Sequence, residues 1–173
     1  MNRRFLQVIQ QRTARVAVGA SAARRQGAPG VVQCAREFAS QLKLARFATR
    51  SPAAFRRRLD VATRQLQKQL PTKAASWGLA RKLLNIFIRD CVYVGYLRRA
   101  YGLHVIEAFC EIPLDSITAK EIRSEAPELP RWPGVKHLRP ELSDQYQQAA
   151  QIISKRRRIA RVHLDAYWWG ARE

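Results

Sequence analysis

Residues 79–91, Leu-Ala-Arg-Lys-Leu-Leu-Asn-Ile-Phe-Ile-Arg-Asp-Cys, decide the fold class. Ala80, Leu83, Leu84, Phe87, Ile88 and Cys91 recur at three- and four-residue steps, which gathers them on one stripe of an α-helix but scatters them over both faces of a strand. The period predicts a helix from about Leu79 to Ala100 whose other face carries Lys82, Asn85 and Arg89. A polar face on so apolar a helix is either solvated or turned into a site.

The same period extends in both directions. Residues 2–17 read as a basic helix, ended by the breaker Gly27-Ala28-Pro29-Gly30. Val31, Cys34, Phe38, Leu42 and Ala45 mark a stripe running to about Ala48. Ser51-Pro52 is an N-cap followed by proline at the first helical position, and it opens a helix to about Leu70, where Pro71 stops it. Phe55, Leu59, Ala62 and Leu66 form its inner face, with Arg56, Arg57, Arg58 and Arg64 outside. Beyond an extended Glu111–Leu114, Asp115-Ser116 caps a helix to about Glu125. A proline-rich loop from Pro127 to Pro140 precedes closing helices over Ser143–Ile153 and Arg157–Ala171. No run alternates with a strand period. The expectation is an all-α chain: one compact helical domain over 31–173 behind a basic, mobile N-terminal arm over 1–30.

Charge narrows the partner. The 173 residues, enough for one core-bearing domain, hold 32 Lys plus Arg against 13 Asp plus Glu, a net charge of +19. Residues 1–59 carry thirteen basic residues and one acid, Glu37. A surface of this sign concentrates polyanions, and nucleic acid is the abundant one. Cys34, Cys91 and Cys110 have neither disulfide nor metal-ligand spacing, too few thiols exist for an iron–sulfur cluster, and His104 and His137 lack partners at metal spacing. No cofactor or metal is expected, and a reducing cytoplasm, on the nucleoid, is the expected location. No apolar run approaches the roughly 18 residues of a membrane span. Residues 1–30 also share the Arg-rich, acid-poor outline of an organelle-targeting segment, with Ser21 their one serine.

The chemistry is concentrated in Trp77-Gly78-Leu79-Ala80-Arg81-Lys82-Leu83-Leu84-Asn85. A glycine just ahead of a helix allows a tight turn, and the N–H groups of the first helical turn then make a phosphate site at the positive end of the helix dipole. This stretch resembles the Gly-x-Gly-(Arg)-Lys-x-x-Asn motif that opens the catalytic helix of the helix-hairpin-helix DNA glycosylases, and Leu114-Asp115-Ser116 is similar to the capped aspartate that follows it there. The resemblance covers about residues 76–118. It implies an enzyme of the helix-hairpin-helix type that excises a flipped, damaged or modified base from double-stranded DNA; the chain is expected to act as a monomer, and its drift from the motif extends the expectation to hypermodified phage bases. Asp115 takes the place of the catalytic aspartate and Lys82 that of the Schiff-base lysine. Gly78, Ala80, Arg81, Asn85 and Arg89, with the run Arg56, Arg57 and Arg58, become the expected DNA contacts. Ala80 stands where the family has its second glycine and Ile117 where a histidine often follows the aspartate, so hydrolysis by water is expected over lyase chemistry.

Three alternatives remain at this level. Trp132-Pro133-Gly134-Val135-Lys136 reads as a second hairpin, with Lys136 and Asp165 as its pair. A non-enzymatic DNA-binding protein would use either hairpin for phosphate contact alone. Arg158 and His163 have the Arg-x4-His spacing of a helical family of RNA-cutting toxins. Tyr93, Tyr96, Trp132, Tyr167, Trp168 and Trp169 are candidates to stack on an extruded base, and Trp77 to pack under the first hairpin.

Overall fold

Eight α-helices linked by short 3₁₀ turns account for the regular structure of residues 2–23 and 28–170, the part of the chain that the computed structural model describes, and no strand occurs among them. They are α1 (Arg3–Ala17), α2 (Val31–Gln41), α3 (Pro52–Gln69), α4 (Trp77–Tyr93), α5 (Gly95–Ala100), α6 (Ser116–Glu125), α7 (Pro140–Arg156) and α8 (Leu164–Gly170). The all-α expectation holds.

The signals that stop and start helices act locally. Ser51 Oγ accepts the Ala54 N–H at 3.2 Å with Pro52 next in line, and Pro140 opens α7 in the same position. Asp115 caps α6 by accepting from Ile117 N and Thr118 N at 2.9 and 3.0 Å, while Thr118 Oγ1 accepts the Asp115 N–H, which completes a capping box. Differences from expectation arise where tertiary contacts claim the backbone. The segment predicted to reach Ala48 stops at Gln41, and the Leu42 carbonyl accepts from Gln10 Nε2 at 2.9 Å instead of prolonging α2. The long central helix breaks at Val94, whose ψ of 104° leaves the helical region, so α5 is a separate turn and a half. The last expected helix, from Arg157, begins only at Leu164, because Arg158 turns with φ at +56°.

The N-terminal segment differs most. α1 is not a loose arm: Leu6, Ala14 and Ala17 are buried in the main core, Gln10 donates to the Ala39 and Leu42 carbonyls, and Arg36 of α2 reaches back to Val18 O and Arg15 O. Arg24, Arg25 and Gly27 lie outside the described residues.

Two apolar cores meet at α4. The larger is built by α1 to α5 around Leu59, Leu66, Leu79, Leu83, Phe87 and Leu97, and the smaller by α6 to α8 around Ile112, Ile122, Tyr146, Ile153 and Leu164. The extended link 111–114 joins them. Both backbone polar groups of Ile112 are satisfied by one side chain, since Gln147 Oε1 accepts Ile112 N–H at 3.1 Å and Gln147 Nε2 donates to Ile112 O at 2.8 Å, and Thr118 Oγ1 donates to Pro113 O at 2.9 Å. Arg161 adds a second clasp across the join, donating to the carbonyls of Phe109, Cys110 and Gln147. The position of Asp115, directly after this link, is thereby fixed against both cores.

Candidate active site

The seam between the cores is where α4 turns its polar residues. Lys82 Nζ lies 3.3 Å from Asp115 Oδ2, so the two residues that the sequence separates by 33 positions form one ion pair, with side chains 10% and 21% exposed. Oδ1 of the same carboxylate is the atom held by the α6 backbone N–H groups, which leaves Oδ2 facing the ammonium. One end of Asp115 is therefore structural and the other is available. Two turns further along α4, Arg89 pairs with Asp165 of α8 and with Asp90 at 2.8 Å. Another turn on, Tyr93 OH meets His163 Nδ1 at 2.8 Å, and His163 Nε2 meets Glu107 Oε1 at 2.8 Å.

Asp165 is the group whose chemistry departs most. Burial pushes its carboxyl from 3.8 up to about 6; Arg89 and Lys82 pull it down, while Asp115 and Asp90 push it further up. Burial and like charge outweigh the cations here because the side chain is only 8% exposed. Asp165 thus feels the charges of Asp115 and Lys82 beside that of its own partner Arg89, and a carboxyl raised to about 6 is suited to proton transfer.

Immediately beside Lys82 in sequence, a second polar centre is closed. Arg81 donates Nε and Nη2 to the two oxygens of Glu111, each at 2.8 Å, and Nη1 to Asp60 Oδ1 at 2.8 Å and Thr63 Oγ1 at 3.0 Å. Asn85 Nδ2 donates to Glu111 Oε2 at 3.0 Å, and Arg56 bridges Glu111 and Asp144. Glu111 is fully enclosed, yet these cations, Arg81 first, outweigh the burial that would raise it and hold it at about 2.

The expected DNA contacts divide accordingly. Gly78 and Ala80 are buried helical residues, Gly78 against the 135–138 turn, and not a phosphate-gripping hairpin. A side chain at position 78 would collide with the Val135 carbonyl oxygen and meet Leu138 Cβ at 2.8 Å, so the glycine serves close packing. The α4 N-terminus is satisfied from within, by Ser76 Oγ on Leu79 N–H at 3.3 Å. Arg81, Asn85 and Arg56 are committed to Glu111 and Arg89 to Asp165. Arg57 and Arg58 are exposed, and with Lys43 and Arg46 they rim a groove of about 520 Å³ floored by Phe38, Leu42, Phe47 and Val61.

The competing arrangements fare differently. The second hairpin exists as a turn, with Gly134 at φ +86°, but it packs on the start of α4: Lys136 is exposed, and Asp165 pairs with Arg89 instead. The aspartate of the rival register, Asp165, lies within electrostatic reach of Lys82 and Asp115. Arg158 and His163 do not share a helix, since α7 ends at Arg156 and His163 sits in a 3₁₀ turn with both ring nitrogens engaged. Among the aromatics, Trp168 is core, Tyr96 stacks edge-on with Phe5 at 5.4 Å, Tyr93 and Tyr167 are half exposed, and the Trp169 side chain lies outside the described residues. Trp77 sits under the Arg81 guanidinium at 5.3 Å. Cys91 and Cys110 are buried, their thiols pushed well up and up to about 12, so they are inert at neutral pH. Among the described residues no group of His, Cys, Asp and Glu could hold a metal ion, and no helix is long and apolar enough to cross a membrane.

Sequence reasoning missed the pairing of Asp165 with Arg89, because nothing in spacing relates α8 to α4. It also missed Glu111, although a charge within Phe109-Cys110-Glu111-Ile112 is a signal of a buried, paired carboxylate. Comparison with family models, curated proteins and solved structures finds no match for this chain.

Proposed function

We propose that the chain is a DNA N-glycosylase that hydrolyses the bond between a base and its sugar at the Lys82–Asp115–Asp165 seam. The observation that carries this reading is the 3.3 Å approach of Lys82 Nζ to the outward oxygen of Asp115, two residues placed together that the glycosylase resemblance had singled out from the sequence. Breaking an N-glycosidic bond develops positive charge on the sugar, and a carboxylate fixed in direction by two backbone N–H groups stabilises it without reorganising. Lys82, bound to that carboxylate, orients it and balances its charge while the site is empty; water is the nucleophile. Asp165, titrating near 6, is the proton carrier suited to the departing base. The duplex is held by exposed cations, Arg57 and Arg58 among them, in place of the hairpin.

The experiment is alkali-revealed abasic-site formation on a panel of DNAs carrying damaged and hypermodified bases, with Asp115→Asn as the control. Asparagine caps helices as well as aspartate does, so folding and DNA binding persist. Excision falls by about a hundredfold or more, since about 2.7 kcal/mol of charge stabilisation is two factors of ten. An Asp115→Asn variant as active as the parent overturns the assignment. A parent that binds DNA and excises nothing from the panel leaves a non-enzymatic binder.

A further inference from the structure

The carboxylate of Asp115 occupies the α6 N–H groups, so no backbone anion site remains at that helix start. The side chains of the same helix supply one. Ser116, Lys120, Arg123 and Ser124 follow at helical steps on one face, and they line a cavity of about 370 Å³ closed on the other side by Trp132. Ser116, on the wall of this cavity, is the residue next to Asp115 in the chain. No acidic side chain lines it. Arg123 is half-buried on its wall, and its Nε, covered by protein, has no hydrogen-bond partner. The opposite wall is rigid: Trp132 packs edge-on against Tyr146 at 5.4 Å, and Tyr146 OH donates to Pro130 O at 2.8 Å. Two cations, two hydroxyls and a fixed indole face are the chemistry of a phosphate with its sugar and base.

We infer that this cavity binds a backbone phosphate of the substrate strand, held by Lys120 and Arg123, with the adjoining nucleoside against Trp132. The inference rests on the glycosylase reading for the identity of the strand, though not for the presence of a phosphate site. It accounts for how a strand is kept in register with Asp115 when the expected hairpin is buried: the α6 face does it, on the helix that Asp115 itself caps.

The test compares the parent with Lys120→Gln/Arg123→Gln, both exposed or half-exposed positions, and with Arg123→Lys, which keeps the charge and loses the planar fork. Duplex DNA, a short single strand, thymidine 5′-monophosphate and inorganic phosphate are titrated while the Trp132 indole NMR signal, assigned by Trp132→Phe, is followed. The expected result is that oligonucleotides move the Trp132 signal and that the double variant binds duplex at least tenfold more weakly. Its slope of log affinity against log salt should be flatter by about 1.8, two phosphate contacts at about 0.9 each. Arg123→Lys recovers most of the affinity. If thymidine monophosphate moves the signal and oligonucleotides do not, the site takes a free nucleotide and the strand assignment is overturned. If no probe moves it and the double variant keeps the parent slope, the site is overturned altogether. Excision measured on the same samples separates the two readings. Binding lost with Lys120 and Arg123 in a protein that never excises a base sinks the glycosylase and keeps the phosphate site; normal excision and slope in the double variant do the reverse.

Discussion

Arg81 and Lys82 are chain neighbours roughly 100° apart around α4, and they belong to opposite kinds of polar centre. Arg81 is 2% exposed and meets Glu111 in a two-pronged clasp, with Asp60 and Thr63 on its remaining nitrogen, and Glu111 is held at about 2. Lys82 meets Asp115 through a single contact at the seam, within electrostatic reach of an Asp165 that is pushed up to about 6. The first arrangement has no proton to exchange in the working pH range, and the second has one at Asp165. A buried ion network that is fully satisfied locks two cores together, whereas one that is partly satisfied and partly open is available for chemistry.

The largest effect should come from breaking the closed centre. Arg81→Met leaves Glu111 buried with its principal partner gone, and a buried charge so stranded costs about 3–5 kcal/mol. Urea denaturation should place the variant near or below the threshold of folding, and adding Glu111→Leu should restore much of the loss. A single variant within 1 kcal/mol of the parent would dissolve the distinction drawn above.

Next in size is the pH response, where the two centres act with opposite sign. Glu111, lowered from 4.5 to about 2, contributes stability that is complete above pH 4.5 and is lost as the pH falls towards 2. Asp165, raised from 3.8 to about 6, contributes below 3.8 and is lost as the pH rises through 6. Asp165→Asn should therefore gain on the parent between pH 4 and pH 7 by up to about 3 kcal/mol, 2.2 pH units at 1.36 kcal/mol each. Denaturation curves at the two pH values measure it; a pH-independent difference would remove the raised titration. The same titration should appear in catalysis as excision that declines above about pH 6.

Lys82→Gln tests whether the lysine orients or attacks. With water as the nucleophile, excision drops by about tenfold through loss of a charged hydrogen-bonding partner, and borohydride traps no protein–DNA adduct even in the parent. Efficient trapping that disappears in the variant would make Lys82 the nucleophile. The smallest effect belongs to the surface. Arg57→Gln/Arg58→Gln should leave stability unchanged and flatten the salt slope of DNA binding by at most about 1.8, and an unchanged slope would take the groove between α2 and α3 off the DNA path.

How much of this was legible in the sequence follows the range of the interactions. The helix starts at Ser51-Pro52 and Asp115-Ser116 were readable because a cap is made within three residues of itself, and the inner faces of α3 and α4 because a helical period is local. Asp115 and Lys82 were singled out by motif, residue by residue. Gly78 was misread for the same reason: glycine ahead of an apolar helix signals a turn, yet here it admits the Val135–Leu138 segment, more than fifty residues away.

What the sequence determined by itself is the all-α class, the places where most helices begin, and a basic surface suited to a polyanion. Which cations are surface was left to tertiary structure, since Arg56, Arg57 and Arg58 read alike and only packing sends the first inward to Glu111 and Asp144 while the other two stay wet. The same holds for α1, whose basic residues suggested a loose arm and whose Leu6, Ala14 and Ala17 close the core. Tertiary structure also decided that Asp165 pairs with Arg89, within electrostatic reach of Lys82 and Asp115. Periodicity records which face of a helix is buried, but it holds no information on which distant segment covers that face, and pairings between remote charges exist only once both are out of water at the same place.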